Sequence, residues 1–378
     1  MKIACITTSV IPSNTANSIQ AMKVCHALKE LGHDVRLWVP EYKRSDWEKL
    51  AHVYGLRTEF EVKWLSFLPF LKQYDFNGKA IRQARRWGAQ VIYTWSLQAA
   101  AFAALRKIPV VMEFHDFPMG KFGPRLFRIF ISAKTKRLIL CTTRALAQGL
   151  EERFAIQFNP LELQIAPNGV ELERYIQLPD VETARKELNL KSGLTIGYSG
   201  HFYSGRGMDV LTELAKALPQ INFLWMGGRQ ADITPWQEKL SQLSLQNVTI
   251  TGFIPNSQLP KYQAAADILL MPYSRKIAGS SGGNIVGVIN PMKMFDYLAT
   301  GRAIVASDIP VFREVLSEKN AVFCEPENPQ DWERKIRTLI ENEELRSRLG
   351  GQARKDAAKF TWKRRAQTTL EKLKGILN

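Results

Sequence analysis

The 378 residues, 45% of them hydrophobic, are too many for one ordinary core and point to a folded globular protein of two domains. Fifty-two Lys and Arg against 36 Asp and Glu leave a formal charge of +16, which favours anionic partners: nucleotides, nucleic acid or an anionic membrane surface. The four cysteines, Cys5, Cys25, Cys141 and Cys324, all lie in apolar segments and none has metal-ligand or redox spacing, which excludes a disulfide scaffold and argues against zinc.

The opening MKIACITTSVIP is interrupted by polar residues too soon for a secretory signal, and AAAFAAL is too short to span a bilayer, so a cytoplasmic protein is expected. KIACITTSV reads as a strand and IPSNTANS as a loop. A helix follows in which Ala21, Val24, Cys25, Leu28 and Leu31 keep helical spacing until Gly32 stops it. Further strands are expected at 91–95, 110–114 and 138–143, the second ending on the polar pair His115–Asp116.

Between Asp116 and Glu151 there is no acid. Lys121, Arg125, Arg128, Lys134, Lys136, Arg137 and Arg144 alternate there with Phe122, Phe127, Ile129 and Phe130. Such a mixture, over 121–144, suits an anionic bilayer interface or a solvated helix face. No nucleic-acid motif accompanies the charge, and no nucleic-acid partner is expected.

The second half repeats the design. LTIGYSG is a strand, HFYSGRG a loop, and a helix with Leu211, Leu214, Ala215 and Leu218 on one face leads to the strand NFLWMGG. Strands at 248–253, 267–273 and 303–308 follow. Apolar strands separated by helices imply parallel sheets covered on both faces, hence two doubly wound α/β domains, with the join in the polar LPDVETARKELNLKSG, at 178/179. Ligands in such folds bind beyond the carboxyl ends of the strands, and a cleft between two domains is a favoured place.

In GSSGGNIVGVINPMKMFDYLATG, Asn290 reads as an N-cap, Pro291 as the first helical residue and Gly301 as the stop. Gly279, Gly282, Gly283 and Gly287 precede that helix, so backbone N–H groups and the helix dipole converge on an anion site. Lys293 would oppose the dipole unless a phosphate sat there, and Asp296, one turn in, could accept two ribose hydroxyls. Arg206, between Gly205 and Gly207, is a fixed positive charge able to hold a phosphate by two parallel bonds.

These stretches, with PNGV at 167–170, TGFIPNSQL and DILLMPYS, in this order over nearly the whole length, resemble family 4 retaining glycosyltransferases of the GT-B fold. The resemblance implies two Rossmann-like domains facing a central cleft, 1–178 on the acceptor side and 179–361 for the donor, with the helix at about 362–378 packing back on the first. It implies transfer of a sugar from a nucleotide diphosphate to an acceptor hydroxyl with retention, no metal and no cofactor beyond the donor. By position, Arg206 would hold the diphosphate, Asp296 the ribose, and His115, beside Asp116, the transferred sugar. Gly228, Arg229, Phe253 and Ile254 would line the base; Gly200, His201, Asn290, Met292 and Lys293 would belong to the substrate-binding set. Asn17 and Ser18 stand where the family usually has glycines.

Two positions depart from the family pattern. Val288 replaces a Glu, and His201 replaces an Arg, so His201 would need a raised pKa to carry the same charge. Other GT-B activities, such as a nucleotide-sugar 2-epimerase, and a silent nucleotide-sugar-binding protein are the alternatives.

Overall fold

The computed structural model describes residues 1–277 and 283–377, so Gly279 and Gly282 lie outside the described residues. Two compact units emerge: Met1–Asn168 with Trp362–Asn378, and Gly169–Thr361.

In the first unit, β1 (Lys2–Ile6), β2 (Asp34–Pro40), β3 (Glu61–Leu65), β4 (Val91–Thr94), β5 (Val110–Phe114), β6 (Arg137–Cys141) and β7 (Leu163–Ile165) form one sheet in the order β3-β2-β1-β4-β5-β6-β7. Every pairing is parallel. The second unit arranges β8 (Thr195–Ser199), β9 (Asn222–Met226), β10 (Val248–Ile250), β11 (Ile268–Met271), β12 (Ala303–Ser307) and β13 (Val322–Cys324) as β10-β9-β8-β11-β12-β13, again all parallel. Strands β4, β5, β8, β11 and β12 are buried along their whole length, as their unbroken apolar runs require when helices cover both faces.

Each sheet starts at a central strand, grows to one side and then reverses. The reversal opens a crevice beyond the carboxyl ends of β1 and β4 in one unit and of β8 and β11 in the other. The strand at 248–253 stops early, at Ile250, because Gly252 turns to φ +74° and pairs its backbone with Gly227. Four strands have no counterpart among the sequence expectations. Two of them, β7 and β13, are three-residue edge strands, β3 is half-buried throughout, and β2 carries Arg36 inside its apolar run.

The division falls at Asn168/Gly169, ahead of the expected 178/179 join. Val170 donates its N–H to the Phe360 carbonyl and Tyr175 donates its hydroxyl to Asp296, which ties this segment to the second unit. The polar stretch read as the join is itself partly helical, Val181–Glu187, capped by Asp180 and anchored by Arg185 donating to the Ala265 carbonyl. The final helix, Trp362–Leu377, packs on the helix Ala16–Glu30 and on β6 in the first unit.

Candidate functional site

At the reversal point of the second unit, β8 runs into Gly200, whose φ of +145° only glycine adopts readily. A Cβ built there would lie 2.6 Å from the Lys293 ammonium, so the backbone and that cation share one small space. Gly207, at φ +75°, caps the helix Met208–Ala217, and a Cβ there would meet the Pro272 carbonyl oxygen at 1.7 Å. The loop after β8 is thereby pressed onto the loop after β11. Arg206 stands in that turn. Its guanidinium lies 4.9 Å from the Tyr203 ring centroid and 5.0 Å from that of Tyr273, and it donates to the Tyr203 hydroxyl at 2.9 Å.

The helix expected from Pro291 runs from Met292 to Thr300 and ends at Gly301 with φ +70°. Its start is one residue late, because Pro291 is extended (φ −73°, ψ 130°) and takes the N-cap place expected for Asn290, with no side-chain cap. Lys293 in the first turn turns inward. Its Nζ lies 3.9 Å from the Tyr198 ring centroid and 5.4 Å from that of Tyr273, buried and without a hydrogen-bond partner among the described residues. Burial, and then the nearby Arg206, hold its pKa well below the ordinary lysine value.

Two cations thus share the Tyr273 ring, and neither is paired with a carboxylate among the described residues. Cation–π contacts return about 0.5 to 2 kcal/mol each, less than the several kcal/mol of effective cost for taking an ion out of water. An anion placed between them removes the deficit.

Asp296 follows one turn later and accepts a hydrogen bond from the buried Tyr175 hydroxyl at 3.0 Å; that hydroxyl is also 3.1 Å from Gln263 Oε1. The helix is locked to β8 by Tyr297, whose hydroxyl accepts the Ser199 N–H at 2.7 Å. His201 stacks on Tyr203 with ring centroids 5.4 Å apart, and its Nδ1 is buried without a partner among the described residues. Burial, then Arg229, Lys293 and Arg206, push its pKa down, so His201 is neutral here and does not replace the family's arginine charge. The cation that adds charge to this site is Lys293.

Gly228 follows β9 at φ +87°, and Arg229 caps the next helix while pairing with Asp232 at 3.5 Å. Phe253 is 52% exposed beside Ile254, which is 8% exposed. Asn290 and Met292 flank Pro291 and are half-buried, and Val288 is a buried core residue.

In the first unit, His115 and Asp116 leave the carboxyl end of β5, and the Asp116 carboxylate accepts the Phe117 N–H at 2.7 Å. His115 Nε2 lies 2.9 Å from Glu113 Oε1. Glu113 is completely buried at the centre of a polar cluster that sequence patterning missed: Gln20, Tyr93 and Arg365 all donate to its carboxylate. Nothing within VVMEF marks that residue, since its cation arrives from the last helix. Ser18 is also buried, its hydroxyl lying 2.9 Å from both the Ser13 and Thr15 carbonyls, which makes it part of the helix start. Asn17, its neighbour, is exposed.

The basic segment at 121–144 separates into two parts. Arg137 pairs with Glu162 at 3.0 Å and donates to the Phe130 and Ile131 carbonyls, and Lys136 donates to the Leu377 carbonyl, so both serve the fold. Lys121, Phe122, Arg125, Arg128 and Ile129 remain exposed on and just before the helix Gly123–Ser132. Among the described residues no helix is long and apolar enough to cross a membrane, and no group of three or more His, Cys, Asp or Glu is placed to hold a metal.

The model of the Glycosyltransferase Family 4 domain matches residues 18–174, and that of Glycosyl transferases group 1 matches 180–356. Among curated proteins, TuaH of Bacillus subtilis, named for teichuronic acid biosynthesis, is 28% identical over 44% of this chain and 39% of its own length. Sulfoquinovosyl transferase SQD2 of Arabidopsis thaliana is 22% identical over 84% of this chain and 62% of its own. The chain thus spans less than two thirds of either relative. Anabaena Alr3699/HepE, solved with UDP, has the same fold at a TM-score of 0.77 and 16% identity, covering 99% of this chain and 100% of that one. Sucrose-phosphate synthase of Thermosynechococcus elongatus superposes equally well, with a TM-score of 0.77, 17% identity and coverage of 100% and 99%. With two parallel-sheet units of GT-B type and both family models matched in order, the chain belongs to the group 1, family 4 glycosyltransferases.

Proposed function

We propose that this protein transfers a sugar from a nucleotide diphosphate donor to an acceptor hydroxyl, with retention and without a metal ion. The observation that carries it is the pair Lys293 and Arg206, two cations around Tyr273 with no carboxylate partner among the described residues, at the reversal point of the second sheet. A diphosphate is the ligand whose charge suits two such cations. HepE, a structural neighbour, was solved with UDP and with UDP-glucose, which supports a nucleotide-sugar donor here.

In this reading the bond between the anomeric carbon and the terminal phosphate oxygen breaks, and the electron pair goes to the departing nucleoside diphosphate. Lys293 and Arg206 stabilise the charge that develops there. The acceptor oxygen bonds to the anomeric carbon, and its proton passes to the departing phosphate, which makes a dedicated carboxylate base unnecessary. Asp296, steadied by Tyr175, takes the ribose hydroxyls. Gly228, Arg229, Phe253 and Ile254 border the base, and His115 receives a hydroxyl of the transferred sugar.

The test is incubation with a panel of nucleotide sugars, with and without acceptor extracts. Release of nucleoside diphosphate from one of them is expected; none from any, alongside tight nucleotide binding, would leave a silent binding protein, and a changed sugar at constant nucleotide sugar would mean an epimerase.

The exposed face of Lys121, Phe122, Arg125, Arg128 and Ile129, which carries no acid, favours a second property, peripheral attachment to an anionic bilayer. The acceptor would then be one held at the membrane, such as a glycolipid, though a polysaccharide or small-molecule hydroxyl also fits the proposed chemistry.

A further inference from the structure

A carboxylate can only accept hydrogen bonds, and Glu113 accepts four. Oε1 takes Gln20 Nε2, Arg365 Nη2 at 2.5 Å and His115 Nε2 at 2.9 Å, while Oε2 takes the Tyr93 hydroxyl. Burial raises its pKa, yet Arg365 and His115 outweigh burial and hold it down at about 2, so Glu113 is ionised at neutral pH. Arg365 is itself fixed by the Pro167 carbonyl at 2.9 Å and the Tyr93 hydroxyl at 3.2 Å. Gln20, Tyr93 and Arg365 are each held by a further contact, to Asn168, Arg365 and the Pro167 carbonyl respectively, and His115, whose side chain is 28% exposed, leads out toward solvent.

We infer that Glu113, braced by Arg365, is a positioning residue that fixes His115 in one orientation and one tautomer, with the proton on Nε2 and the lone pair on Nδ1. The ring then offers an acceptor, and the complementary ligand group is a hydroxyl that donates. This inference rests on the proposal that His115 meets the transferred sugar, and it adds a selection rule: the sugar must present a free hydroxyl to that nitrogen. A donor modified there by an ether or a deoxy position is discriminated against because Nδ1 would lose its partner. The device also explains why the last helix returns to the first unit, since it delivers the cation that keeps Glu113 ionised.

Long-range proton–nitrogen NMR on the free, nitrogen-15-labelled full chain reads the tautomer directly, and the five histidines are separated by comparison with H115Q. At alkaline pH the wild type should show a protonated Nε2 and an unprotonated Nδ1 for His115; the opposite tautomer, or an equal mixture, would overturn the inference. No nucleotide is present in this measurement, so it stands apart from the question of transferase activity. E113Q, close in shape, should lose the fixed tautomer, lower turnover at least tenfold and leave the Kd for nucleoside diphosphate within twofold. The E113Q/H115Q double variant should be no slower than H115Q. Additive losses in the double variant, or an unchanged tautomer in E113Q, would mean that Glu113 serves only the fold.

Discussion

Both units bury cations beside tyrosines, and the two sites are opposites. In the first, Arg365 meets the Glu113 carboxylate, and its remaining N–H groups go to backbone carbonyls and the Tyr93 hydroxyl. In the second, Lys293 and Arg206 face aromatic rings and no carboxylate among the described residues. A cluster in which cation and carboxylate neutralise each other is a device for holding parts in place; an uncompensated one is half of a complex whose other half is a ligand. The same residue types therefore have different uses, decided by what surrounds them.

Substitution can break this contrast. Arg365→Met strands the Glu113 carboxylate and should cost about 3 to 5 kcal/mol in chemical denaturation. Lys293→Met removes an unpaired charge and should stabilise the free protein by about 0.5 to 2 kcal/mol while weakening nucleoside diphosphate binding. If both variants moved stability the same way, the two sites would not differ as argued. Arg206→Ala is expected to cost about 3 kcal/mol in nucleoside diphosphate binding by calorimetry, roughly a hundredfold in Kd, and far less for the nucleoside alone. Equal losses would remove it from the phosphates.

Asp296→Asn should weaken ribonucleotides by about 1 to 2 kcal/mol and 2′- or 3′-deoxy analogues by less. Smallest of these is the surface effect. Replacing Arg125 and Arg128 by Gln should lower co-sedimentation with anionic vesicles at low salt by about 1 kcal/mol per residue, with no change on neutral vesicles.

The pH dependences also run in opposite directions. Glu113 has a folded pKa near 2 against an ordinary 4.5, so its stabilisation is present above 4.5 and is lost as pH falls toward 2. For Lys293 the folded value lies well below 10.5, so within that interval the unfolded chain binds more protons and the free protein gains stability as pH rises. A bound diphosphate reverses that effect by favouring the ammonium. Within that pH interval, proton uptake on binding, read from calorimetric enthalpies in buffers of different ionisation heat, is the expected sign.

Legibility from sequence was uneven for physical reasons. Long apolar strands such as VVMEF and AIVAS are recognisable because burial on both faces demands an unbroken run, and Gly301 stops its helix because few other residues adopt φ +70°. Strands β3, β7 and β13 were not legible, since short or half-buried strands place no such demand on composition. Among site residues, Arg206 and Lys293 stood out by their place beside glycines at a helix start. Glu113 did not: an acid in an apolar strand looks like an interruption until its cation is found.

What the sequence determined by itself is local or cumulative: two parallel α/β units, loops of small residues ahead of helices, and a family pattern spread over many short motifs. What only the tertiary structure decided is pairing. Arg365 finds Glu113 across most of the chain, Lys293 turns inward onto Tyr198, and Ser18 hydrogen-bonds within its own helix start. Spacing along a chain records which face a side chain is on, whereas the balance of a buried charge depends on every group that folding brings within a few ångströms of it.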